Sequence, residues 1–162
     1  MKYILYIAYV PAIIWMYIIA GFSGASGESS SSLSLRVTEW IVDIIDVGDH
    51  MTGEEFTDTV ELLHTPVRKA AHMTEYAILF ILVFIPLRLT AKKIDFKRSL
   101  LIVLIVCIIY ASFDEVHQLF VDGRSGKITD VLIDSIGALI GLITVLCVNK
   151  LAHCKIIRKS KQ

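Results

Sequence analysis

Residues 110–126 read YASFDEVHQLFVDGRSG, and they follow LLIVLIVCII (100–109), a run without a single charge. The helical pattern of the apolar run carries on into Asp114, Glu115, His117 and Gln118. A charge at the centre of a bilayer costs about 2.5–3.5 kcal/mol on insertion scales, and less near the surface. Either the helix stops early, or these groups sit at or below the surface of a membrane. Residues three and four apart share a helix face. Tyr110, Asp114, His117 and Gln118 therefore form one inward stripe, with Glu115 on its flank. That regularity favours a helix carried up to the surface.

The rest of the chain supports a membrane setting. Of 162 residues, 55% are apolar and the mean hydropathy is +0.66, a level that soluble domains rarely reach. Crossing the hydrocarbon core takes about 20 largely apolar residues. Four segments meet that length, at about 3–22, 68–88, 99–119 and 128–148. The first has only Lys2 ahead of it and is longer than the core of a secretory signal, so it is expected to be a retained helix. Three cysteines, Cys107, Cys147 and Cys154, suggest neither a disulfide framework nor a zinc spacing.

Charge is distributed asymmetrically. Arg88, Lys92, Lys93, Lys97 and Arg98 cluster between the second and third segments, and Lys150, Lys155, Arg158, Lys159 and Lys161 follow the fourth. Residues 22–67 carry nine acidic side chains against the single Arg36. Basic loops stay in the cytoplasm, so both termini are expected inside and 23–66 outside. The expected fold is all-α: one domain over 1–162, an integral membrane four-helix bundle with an extracytoplasmic loop carrying short amphipathic helices.

Within that loop, GASGESSSS predicts a flexible linker. Leu33, Val37, Trp40, Ile41, Ile44 and Ile45 predict an amphipathic helix at the interface. Thr52 and Glu55 form a capping box for a second short helix with Phe56, Val60 and Leu63 inward. Thr65 and Pro66 then read as the N-cap and first position of the second span. His50, His64 and His153 read as solvated surface.

Two further stripes match the one on the third segment. Arg68, His72 and Glu75, flanked by Lys69 and Tyr76, line the second; Asp130 and Asp134, continuing into Gly137 and Gly141, line the fourth. The small-xxx-small pair permits close helix packing, which turns the two aspartates into the bundle. The topology places all three stripes in the outer part of the membrane, where they should face one another or a wet cavity.

Such a cluster suits an anion, above all the phosphate of a lipid carrier or phospholipid. Arg68, Lys69 and Arg124 would hold it, with helix N-termini adding N–H groups. Gln118, Tyr76, Asp130 and Asp134 are further candidate substrate contacts. His117 and His72, with Asp114 and Glu115, are the candidate catalytic groups, the histidines moving protons. Five acids would repel a phosphate unless Arg and His neutralise them or a divalent metal bridges them. Glu75, Asp114 and His117 are the candidate metal set; no certain cofactor follows. The alternative is a structural or partner-docking protein whose cluster is only an internal salt-bridge network. A transporter is the weakest option, since the inner half lacks a polar stripe. Nothing points to nucleic acid.

The blocks RKAAHMTEYAIL and YASFDEVHQLFVDGRSGKITDVLIDSIGALIG resemble the VanZ-like membrane proteins. The match falls on Lys69, His72 and Tyr76; on Asp114, Glu115, His117, Gln118, Phe120, Gly123 and Arg124; and on Asp130, Asp134 and Gly137. FSGASGESSSSLS is similar to the family's serine-rich stretch, although Ala25 stands where the family often carries Gln. The resemblance implies a four-helix bacterial inner-membrane protein. The family's named member is associated with low-level resistance to teicoplanin, so the resemblance supplies a family without a reaction.

Overall fold

The computed structural model describes residues 6–46 and 51–159, with side chains up to residue 154. It is all-α among the described residues: α1 Val10–Gly24, α2 Gly27–Ile45, α3 Gly53–Thr90, α4 Phe96–Gln118 and α5 Ile128–Lys159. α3, α4 and α5 are each long and apolar enough to cross a membrane. α1 is shorter, about 22 Å at 1.5 Å per residue. It passes the same test only together with α2, from which it bends by 108°. The expected span 3–22 begins in residues outside the described ones.

Direction along the bundle follows from a few contacts. Tyr9 Oη lies 3.0 Å from Thr90 Oγ1, at one end. Tyr110 donates to the Met16 carbonyl at 2.7 Å, and the Trp15 indole donates to the Glu75 carbonyl at 2.9 Å. α1 and α4 thus run one way, and α3 and α5 the other. α3 packs most extensively on α5. Gly137 lies against the Met73 backbone and Gly141 against Ala77, so the small-residue face closes the parallel pair as expected. The core beneath is apolar: Tyr76, Leu79, Phe80, Val103, Cys107 and Ala138 are buried. The outer faces of α1, α4 and α5 stay apolar and exposed, for example at Ile13, Leu101 and Ile143. That is the expected surface for a bundle in lipid.

Three local expectations change. The serine-rich stretch is helical, not a flexible linker: Ser26 caps α2 by accepting from the Ser29 N–H, and Ser32 and Ser34 bond back to carbonyls of their own helix. The capping box of Thr52 and Glu55 is present, but the helix it opens does not stop before Thr65. It runs for 38 residues, with Pro66 and Pro86 inside it. Each proline removes one backbone bond. Around Pro66, packing on α2 offsets that loss, through buried Thr38, Val42 and Val60 and a 2.6 Å bond between Ser34 and His64. His64 is consequently a half-buried contact rather than solvated surface. α2 keeps Leu33, Val37, Trp40 and Ile44 exposed along one edge, the amphipathic character expected of an interfacial helix.

The opposite end is closed by Arg88, whose guanidinium bonds the Ile94 carbonyl and Ser99 Oγ and sits 5.8 Å from the Phe96 ring centroid. Asp95 caps α4 there by accepting from the Arg98 N–H.

Candidate functional site

The site lies where α1 ends, α4 ends and α5 begins, with α2 and the first half of α3 covering it. Its frame is Arg124. Three of the guanidinium's N–H groups are used: to the Ala25 carbonyl at 3.0 Å, the Phe22 carbonyl at 2.7 Å and Gln118 Oε1 at 3.3 Å. The first two carbonyls belong to the α1–α2 elbow, so Arg124 fastens the elbow to α4. Burial lowers its pKa from the ordinary arginine value, yet a guanidinium remains cationic. The turn that delivers Arg124 needs Gly123, at φ 73°, a backbone conformation that suits glycine. Gly27 abuts the Gly123 carbonyl, with no room for a Cβ, and donates its N–H to the Asp122 carbonyl at 3.2 Å.

Gln118 passes the connection inward. Its amide donates to Glu115 at 3.1 Å and to Asp114 at 3.4 Å, while Glu115 accepts the Lys127 backbone N–H at 2.8 Å. Both acids are buried, as is Gln118. The face of α4 turned inward is thus centred on Gln118 between Asp114 and Glu115. His117 is one step of about 100° away from Gln118; it is exposed and faces Gly24. The expected stripe was misplaced by that step: Glu115 belongs inside and His117 outside.

From α3, His72 Nδ1 lies 3.5 Å from Glu75 and 3.9 Å from Asp134 of α5. Asp134 is 2% exposed, and its Oδ1 has no hydrogen-bond partner in the structure. The buried Tyr76 hydroxyl is likewise without one. The Tyr76 ring is tilted by 45° to that of Tyr110, with ring centroids 6.3 Å apart.

These groups surround a cavity of about 290 Å³. Eight of the sequence-predicted residues line it: Arg68, Lys69, His72, Glu115, Gln118, Arg124, Asp130 and Asp134. Asp114 and Tyr76 lie beneath it, Glu75 lies at its edge toward a second cavity, and His117 is outside it. The candidate metal set of Glu75, Asp114 and His117 is not assembled, His117 being exposed while Asp114 is buried. Among the described residues no three His, Cys, Asp or Glu side chains are grouped to hold a metal ion. One expected helix N-terminus also moves. α3 begins well before the cavity, whereas α2 begins beside it, at Gly27.

Sequence reasoning missed His64, Ser31 and Thr65, which complete the wall. His64 lies on the same α3 face as Arg68 and His72, at steps of four, and that spacing was the available signal.

A chain of this kind is an all-α membrane protein with a polar cavity at one end of its bundle. The VanZ/LLP1 family model matches residues 7–149, most of the chain, and the protein belongs to that family. No curated protein and no solved structure matches the chain significantly.

Proposed function

We propose that the polar cavity binds the phosphate of a membrane lipid or lipid-linked cell-wall precursor, at the outer face of a bacterial cytoplasmic membrane. The observation that carries this is a division of labour among charges. Most of the acids are engaged within the protein: Glu115 and Asp114 by Gln118, Glu115 also by the Lys127 N–H, and Glu75 by His72. Among the described residues, the side chains of Arg68, Lys69 and Lys127 make no ion pair or hydrogen bond, yet all three line the cavity. Cations held beside a cavity and left without protein partners suit an incoming phosphate, which arginine grips through two bonds. His72, between two carboxylates at the cavity wall, is the histidine we assign to proton transfer there, because it lines the cavity and His117 does not. The resistance associated with the family's named member concerns cell-wall precursors, which such a site would meet.

The rival reading, an internal network alone, is favoured by Arg124, whose bonds go to the protein itself. The two separate on Arg68→Ala and Lys69→Ala. With the protein in phosphatidylcholine nanodiscs, binding of inorganic phosphate should weaken about tenfold in each variant, while Tm stays at the wild-type value. If affinity and Tm fall together, the network reading stands.

A further inference from the structure

A second cavity, of about 340 Å³, adjoins the first. Its wall is formed by the α1–α2 elbow, the outer edge of α2 and the middle of α3. The character changes abruptly: Phe22, Leu33, Val37, Val67 and Ala71 supply an apolar lining. Arg68, His72 and Arg124 line both cavities. They form the shared wall, so the cation beside the phosphate site also stands at the head of the apolar groove. Leu33 and Val37 are half-exposed, which leaves the groove open along the flank that carries the apolar edge of α2.

We infer that this groove seats the first methylenes of the hydrocarbon chain of the ligand whose phosphate occupies the polar cavity, so that a bilayer lipid enters sideways and is held across the Arg68–His72–Arg124 wall. The inference rests on the phosphate reading above and adds the second half of the ligand. The charge order argues for one occupant. An apolar groove without cations at its end would take any hydrocarbon; this one ends on guanidinium groups directly beside a polar chamber, which matches an amphiphile with an anionic head. A chain leaving the bilayer for such a groove gains little hydrophobic free energy, because lipid is equally apolar. The groove therefore fixes orientation for a bilayer lipid. For a short ligand arriving from water it adds affinity.

That difference supplies the test. Inorganic phosphate and the ethyl, butyl and hexyl phosphates are titrated against the protein in phosphatidylcholine nanodiscs, with empty nanodiscs as the blank. The expected result is a rise of up to about fourfold in affinity per methylene. In Ala71→Trp, which fills the groove from α3, the rise should vanish while inorganic phosphate binds as before. Val37→Trp fills it from α2 and should do the same. If hexyl phosphate binds no tighter than inorganic phosphate, or if the increment survives both tryptophans, the groove assignment is overturned and the phosphate site stands. If inorganic phosphate and the alkyl phosphates all fail to bind, the phosphate reading falls and takes this one with it.

Discussion

The guanidinium of Arg124 spends three N–H groups on the protein's own acceptors, two of them main-chain carbonyls of the elbow. Arg68, on the neighbouring helix, has no such partners among the described residues. Two arginines at one cavity thus have different surroundings. A lysine has one ammonium on a flexible stem and cannot span three acceptors fixed by a planar fork. Hydrogen bonds to a charged group contribute about 1.5–3 kcal/mol each. Arg124→Lys is therefore expected to cost about 2–3 kcal/mol, seen as lower Tm and lower membrane abundance. An unchanged Tm would show that the elbow is held by other contacts. The sequence shows both arginines but not this difference, because the acceptors of Arg124 lie 99 and 102 residues away along the chain. His117 shows the same limit at shorter range. Spacing alone put it on the inward face, and a rotation of one residue about α4 decides otherwise.

At the scale of helices, α3 and α5 meet through bare backbone. A Cβ at Gly137 would enter the Met73 main chain, and one at Gly141 would enter that of Ala77. Gly137→Leu should separate the pair, lower Tm markedly and open the cavity wall that joins His72 to Asp134. Gly21 of α1 is the control, since a Cβ there meets nothing within 4 Å. Gly21→Ala should be neutral or stabilising by about 0.5–1 kcal/mol. Equal Tm values for Gly137→Leu and wild type would refute the close pairing. This contact was legible from the GxxxG spacing and its alignment with Asp134. The continuity of α3 was not. Thr65-Pro66 is a sound local start signal, and only the docking of the preceding turns on α2 overrides it. The serine run misled for a related reason: serines that bond back to their own helix look, by composition, like a linker.

For the molecule as a whole, the cavity and the α3–α4 connection lie at opposite ends. The basic residues Lys92, Lys93 and Lys97 belong to the far end. In a version lacking Cys107, Cys147 and Cys154, single cysteines at Ser31 and at Lys93 should react with a membrane-impermeant reagent from opposite sides, Lys93→Cys from the cytoplasm. Labelling of both from one side would exclude the proposed orientation. The three long apolar helices and the convergence of their polar stripes were readable from hydropathy and charge. The bend that turns α2 over the cavity was not, because two short residues, Ala25 and Ser26, make it, and no local pattern specifies its angle.

The elbow has a consequence for the order in which the molecule can be completed. α1 and α2 leave the ribosome ahead of the other three helices, but the side chain that fastens them is translated about a hundred residues later. At about 5–20 residues per second, the opening hairpin waits roughly 5–20 s for its clasp. Throughout that interval the elbow lacks its Arg124 clasp, and the cavity lacks the α5 residues Asp130 and Asp134 that complete its lining. The front of the chain is therefore fastened last, and the cavity becomes whole only after the third long helix has begun to emerge.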